Sequence, residues 1–235
     1  SAWHNVLFSS LNNGFGGLGT RLEVNSPLHL RHFENLANMS KQGLFVYKGR
    51  DNAADATVVS GECAMATASA GLLGNLKRNA KFDFGVSTLP YYPDVPGAPQ
   101  NSVIGGASLW VMSGKKPEVY KGVGEFLAYL AKPEVAAASH QRTGYLPVTK
   151  AAYELTEKSG FYKKNPGAEV AVEQMIKKTT DKSRGIRIGN FLQVRTIADE
   201  ETEGIWSGKQ TPKQALDNIV KRGNEQLERF QKANR

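Results

Sequence analysis

The chain has 235 residues, 40% of them hydrophobic and 22% charged. That balance is ordinary for a soluble globular protein of one large domain or two small ones, and no apolar run approaches the roughly 20 residues that a membrane-spanning helix needs. The net charge of +8 draws anions toward the surface, but there are no Lys/Arg tracts and no basic repeat interleaved with aromatics. A solvated basic surface is the simpler reading, and a nucleic-acid-binding module is a weak alternative. The single cysteine, Cys63, excludes a disulfide within the chain and any multi-cysteine metal site. Set among small residues in "GECAMATAS", it is expected to be a buried structural thiol.

In chain order, "SAWHNVLFSSL" reads as a helix already under way. No charged n-region, apolar h-region or cleavage site precedes it, so no secretory leader is visible and further residues are expected upstream. Residues 12–20, "NNGFGGLGT", follow no strand and lack a Lys-Ser/Thr ending, so they read as a surface loop rather than a phosphate cradle. "SPLHLRHFENLANMSKQG" carries helix punctuation: Ser26 caps, Pro27 takes the first turn and Gly43 closes. His29 and His32 stand at i,i+3 there, but without a third ligand nearby they read as surface histidines. Residues 63–68 read as a short buried strand that hands over near Ser69 to a helix bearing Leu72, Leu73 and Leu76. Phe82, Phe84 and Val86 alternate as in a second strand. A proline-rich loop, residues 90–99, follows. "SVIGGASLWVMSG" then reads as an extended segment interrupted by Gly105-Gly106, which signals a bend, a bulge or a close approach to the backbone.

From there the pattern is helical. Val119, Val123, Phe126, Leu127 and Leu130 make one apolar stripe. "KPEVAAASHQRTG" is a second helix, closed by Gly144 in a left-handed conformation, and Tyr145 and Pro147 stand at the mouth of the next. "PGAEVAVEQMIKK" and "GNFLQVRTIADEETEGIW" read as further helices. The last begins at "TPKQALDNIV", where Thr211, Pro212 and Gln214 spell a capping box.

No G-x-S-x-G, H-E-x-x-H or recognisable pair of carboxylates singles out a catalytic set, so an enzyme is disfavoured. Anion binding has more support. Ser69 is expected at a strand-to-helix junction, where first-turn N–H groups lack partners and the helix dipole favours negative charge; a plain N-cap is the simpler role. Residues 177–195 hold Lys177, Lys178, Lys182, Arg184, Arg187 and Arg195 against the single acid Asp181. Most of these belong to a solvated loop. Arg195 lies within the following helix beside Val194 and Ile197, where its planar fork suits a carboxylate or phosphate, or else a structural ion pair.

"GECAMATASAG", "VIGGASLWVMSG", "TGYLPVTKAAYELTEKSGFYKKNPGA" and "SGKQTPKQAL", in that order, resemble the solute-binding proteins of bacterial ABC importers. The T-G-Y-L-P corner and the final helix are shared with sugar carriers. "IGGASLWVM" and "GFYKKNPGA" are nearer to the members that carry sn-glycerol-3-phosphate. The resemblance covers Ser1 to Arg235 but only the C-terminal half of such a protein. It implies an α/β, periplasmic-binding-protein-like two-lobed fold with only that half present, rich in helix. Residues 1–105 would belong to lobe 2, 106–149 would be a helical segment of lobe 1, and 150–235 would be C-terminal helices of lobe 2.

The implied ligand is sn-glycerol-3-phosphate or a glycerophosphodiester, with a neutral sugar as the alternative inside the family. The positions matching ligand contacts are Ser69, Gly106, Tyr145 and Arg195. Ser69 would offer its hydroxyl to the phosphate and Gly106 an approachable backbone N–H. Tyr145 would cover the glycerol carbons, and Arg195 would supply charge. The resemblance implies binding alone, with no metal or cofactor, in the periplasm, and delivery to the permease subunits of an ABC importer that provide the only contact with the membrane. Since the remaining contacts are expected upstream, the chain alone is expected to bind weakly or not at all. Its uncovered apolar surface is expected to pack against another copy.

Overall fold

The computed structural model describes all 235 residues. After a 3-10 turn (Ala2–His4), the helices are α1 (Ser10–Asn13), α2 (Pro27–Lys41), α3 (Asp55–Val59), α4 (Leu72–Asn79) and α5 (Pro117–Leu130). They continue with α6 (Pro133–Thr143), α7 (Lys150–Lys158), α8 (Phe161–Lys164), α9 (Val170–Met175), α10 (Phe191–Trp206) and α11 (Pro212–Ala233). The helix-rich architecture is as expected. The three segments read as strands, around 63–68, 82–86 and 102–112, form no ladder; the one β pairing is an isolated antiparallel bridge between Ser9 and Leu22. A strand needs a neighbour to take its N–H and C=O groups, and this chain supplies none to these segments. No helix is long and apolar enough to cross a membrane.

The chain divides into two compact units. One comprises Ser1–Ala53, Tyr91–Val103 and Ile176–Arg235; the other comprises Ala54–Pro90 and Ile104–Met175. The bounds expected from the resemblance lie at 105 and 149 and do not coincide with these divisions. Within this chain, residues 54–90 and 150–175 fall in the same compact unit as the helical segment.

The first unit is built on the α10–α11 hairpin with α2 against it. Every third or fourth residue of α11 is apolar or small on one side, and Ala215, Leu216, Ile219, Gly223 and Leu227 are all buried. Leu216, Ile219 and Leu227 meet Val194 of α10 and Leu22 and Val24 in one core, flanked by Leu30, Phe33 and Ile188. A Cβ on Gly223 would collide with the Leu22 side chain, so the α11 backbone itself serves as a packing surface. The capping box is present: Thr211 Oγ1 accepts from Gln214 N–H and the Gln214 side chain accepts from Thr211 N–H. Glu201, 8% exposed, closes the hairpin by accepting from Arg222 at 2.5 Å, Gln210 at 2.8 Å and Asn218 at 3.1 Å. Burial pushes its carboxyl up, but these donors outweigh burial and hold it below the usual carboxylate range. Trp206 collects Phe33, Phe45 and Tyr47 around its ring.

Three other local readings change in this unit. The opening is not a continuing helix, because Leu11, Asn12 and Asn13 are left-handed (φ 52, 52 and 57°). Asn residues tolerate that region, and the Asn13 side chain anchors the turn by accepting from the N–H groups of Phe8 and Ser9. Ser26 makes no cap bond; its hydroxyl goes to His29 Nδ1 at 2.7 Å. His29 is consequently no free surface histidine: Ser1 Oγ holds its other nitrogen at 2.7 Å, and burial, chiefly, lowers its pKa to about 4.

The second unit has a much smaller core. Ala136, Ala137 and Ala152 pack where α6 crosses α7. α5 forms as its apolar stripe predicts, yet buries no residue: Val119 is 47% exposed and Phe126 54%. The run 103–112 is likewise open, with Trp110 86% exposed. Cys63 is half-buried and its neighbour Met65 lies 88% exposed, so residues 63–68 are not the buried strand expected. The helix expected over 166–178 shortens to α9, preceded by the separate turn α8.

Candidate functional site at the Tyr145 corner

α6 ends where Gly144 turns left-handed (φ 78°) and sends its N–H to His140 O at 2.9 Å. A side chain there would be strained, and its Cβ would come within 3.1 Å of Ala70 O. Glycine is therefore what lets the corner lie against the 69–71 turn. The next residue, Tyr145, donates its N–H to Thr143 Oγ1 at 3.2 Å, and Thr143 Oγ1 in turn donates to Ser139 O. The Tyr145 side chain stays 59% exposed.

Across the corner, Ser69 heads the turn that leads into α4. Its hydroxyl accepts from Gly71 N–H at 3.3 Å, and its carbonyl accepts from Leu72 N–H. It is exposed and does not cap α4 in the standard way, since Gly71 occupies that position. The point where a Cβ would stand on Gly71 lies 3.6 Å from Ser69 Oγ, 3.6 Å from Tyr145 Cζ and 3.7 Å from Tyr145 Oη. A serine hydroxyl and a phenol, 76 positions apart in sequence, thus flank one small opening kept clear by a missing side chain. Such a pair can donate two hydrogen bonds to one oxygen-rich ligand.

Gly106 belongs to the same unit. Its φ of 132° is closed to most side chains, and nothing lies within 4 Å of where a Cβ would be. Arg195 belongs to the first unit. While Val194 (0% exposed) and Ile197 (7%) turn into the core, Arg195 is exposed and forms no ion pair, so the structural-pair role is not taken. Of the expected residues, the structure brings Ser69 and Tyr145 together, with Gly106 in the same unit and Arg195 in the other.

Sequence reasoning missed what lies under the corner. His140, 3% exposed, sits in the last turn of α6 with Nδ1 on Tyr145 O and Nε2 2.9 Å from Tyr162 Oη. Its place one turn after Ala136 and Ala137, on the same buried side of α6, was the available signal. A small pocket lined by Leu73, Lys77, His140, Gly144 and Phe161 adjoins it. An open groove of about 380 Å³, lined by Gln193, Thr196, Arg222 and Gln226, runs along α10 and α11 in the first unit. Its arginine is already paired with Glu200 and Glu201.

The family profile described as "Bacterial extracellular solute-binding protein" matches residues 3–170. The "sn-glycerol-3-phosphate-binding periplasmic protein UgpB" of Yersinia pseudotuberculosis is 53% identical over all of this chain and 54% of its own length. The protein of the same name from Salmonella typhimurium is also 53% identical over the whole chain. This chain therefore spans about half the length of the curated relatives it matches. Among solved structures, UgpB from Mycobacterium tuberculosis in complex with glycerophosphocholine superposes with a TM-score of 0.73 at 27% identity, over 88% of this chain and 51% of that one. The maltose/maltodextrin-binding domain MalE from Bdellovibrio bacteriovorus, at 19% identity and a TM-score of 0.67, covers 94% of this chain and 57% of its own and shares the fold. The chain belongs to the bacterial extracellular solute-binding protein family.

Proposed function

We propose that this chain is the part of a periplasmic solute-binding protein that supplies Ser69, Gly106, Tyr145 and Arg195 to sn-glycerol-3-phosphate, for delivery to the permease subunits of an ABC importer. It acts by binding, and no bond is made or broken. The observation that carries the reading is the convergence of Ser69 Oγ and Tyr145 Oη on one opening beside Gly71, in a chain 53% identical throughout to relatives named for that ligand. Arg195 carries a guanidinium with no protein partner, and its fork matches a phosphate.

The test replaces the matching stretch of the Yersinia pseudotuberculosis relative with this chain and titrates the graft with sn-glycerol-3-phosphate by calorimetry. Saturable binding with no turnover of the ligand is expected, whereas the isolated chain is expected to bind weakly or not at all. Arg195→Ala in the graft should weaken binding at least about tenfold, the size of a charge-assisted hydrogen bond. A graft that ignores the ligand, or an Arg195→Ala graft that binds undiminished, overturns the reading. A neutral sugar is the family's competing ligand, and Arg195→Ala separates the two because a sugar loses no charge contact. A glycerophosphodiester is the second phosphate reading, favoured by the glycerophosphocholine in the Mycobacterium tuberculosis structure. Competition of the two ligands on the graft ranks them.

A further inference from the structure

The Tyr145 phenol makes no hydrogen bond within the chain and its ring is more than half exposed, so its placement depends on the backbone that carries it. Three contacts fix that backbone: the left-handed Gly144, the bond from Tyr145 N–H to Thr143 Oγ1, and His140 on the Tyr145 carbonyl. The third is chemically specific. A carbonyl oxygen only accepts, so His140 Nδ1 must carry the proton, which leaves the Nε2 of a neutral ring as an acceptor. Tyr162 Oη stands 2.9 Å from that nitrogen and donates to it. Burial, with lesser help from Tyr153, Glu157 and Glu169, pushes the Tyr162 phenol up to about 12, so it keeps the proton it donates. The imidazole is further wedged against the Phe161 and Tyr162 rings, with centroids 6.0 and 5.7 Å away.

We infer that His140 is a positioning residue for the ligand site: with its ring held from the other side by Tyr162, it pins the Tyr145 carbonyl through Nδ1–H and so aims the Tyr145 ring at the Ser69 turn. The inference rests on Tyr145 being a ligand contact. An asparagine side chain can place an N–H where Nδ1 stands, whereas a glutamine side chain reaches toward Nε2 instead. His140→Asn and His140→Gln therefore separate pinning from simple filling of space.

The experiment has two arms. In the graft, sn-glycerol-3-phosphate affinity is measured by calorimetry for both variants, alone and combined with Tyr145→Ala. In the 235-residue chain, amide hydrogen exchange is followed at Tyr145 and Leu146, with far-UV circular dichroism to check folding. His140→Gln should weaken binding about tenfold, the size of one net hydrogen bond, and His140→Asn by no more than about twofold. With Tyr145→Ala present, His140→Gln should add nothing. Faster exchange at the corner is expected for Gln and not for Asn. Wild-type affinity for His140→Gln, equal losses for both variants, or an undiminished His140→Gln effect without Tyr145 overturns the proposal. So does a Tyr145→Ala graft that binds normally. Failure of the unvaried graft to bind is instead a failure of the proposed function. The exchange arm then decides the pinning by itself: equal exchange in His140→Gln and wild type sinks it.

Discussion

α11, in its hairpin with α10, and α5 are both amphipathic helices with proline in the first turn, yet one is sealed and the other is bare. Leu216 and Val194 are 2% and 0% exposed, while Phe126 on α5 is 54% exposed. The difference lies in partners. The stripe of α11 meets α10, α2 and Leu22 in the same chain, so burial, capping and the Glu201 network reinforce one another. The stripe of α5 and the run 103–112 meet almost nothing. An apolar periodicity states which face a helix would bury, and only the rest of the polypeptide decides whether it does.

The largest effect that sharpens this contrast comes from truncating equivalent side chains. Leu216→Ala should lose about 2–5 kcal/mol of unfolding free energy, from transfer plus the cavity left behind. Phe126→Ala should stay within about 0.5 kcal/mol of wild type. Urea titrations of the two variants check both, and a similar loss at Phe126 would show that α5 is covered in solution. Next, Arg222→Ala removes a charged donor from the nearly buried Glu201 and should cost about 1–3 kcal/mol. Gly144→Ala forces a side chain into the left-handed region and should cost about 1–2 kcal/mol, besides pushing the corner away from Ala70; thermal melts report both.

The smallest effect is a pH dependence on the surface of the sealed unit. Arg50 first, and Tyr47 second, pull the Glu203 carboxyl from 4.5 down to about 2. A depressed carboxylate contributes stability that is complete above the unfolded value of 4.5 and is lost as pH falls through about 2. Arg50→Ala should therefore remove part of the acid-induced loss in that window. Equal acid titration curves for variant and wild type would show that the pair contributes nothing.

Much of this was legible in the sequence. The capping box at Thr211, the glycine stop at Gly144 and the proline starts of α2, α5 and α6 are local signals, and all are realised. What was not legible depended on distant chain. The alternation of Phe82, Phe84 and Val86 is a strand pattern, but a strand exists only with a neighbour to complete its ladder. Ser69 and Tyr145 were nameable one by one, while their convergence beside Gly71 is a tertiary fact. His140 gave less warning still, since a histidine in a helix announces neither its tautomer nor the carbonyl that sets it. The left-handed turn at 11–13 was hidden because apolar periodicity around it imitates an ordinary helix.

The three tryptophans are split unevenly between the two units. Trp3 is buried and Trp206 is ringed by aromatics in the first unit, whereas Trp110 stands 86% exposed in the second. Indole emission is thereby a built-in two-colour gauge, with blue-shifted light from the enclosed rings and red-shifted light from the wet one. Iodide or acrylamide in the buffer would dim Trp110 first, so whatever comes to cover that stretch would announce itself as a lamp that can no longer be put out.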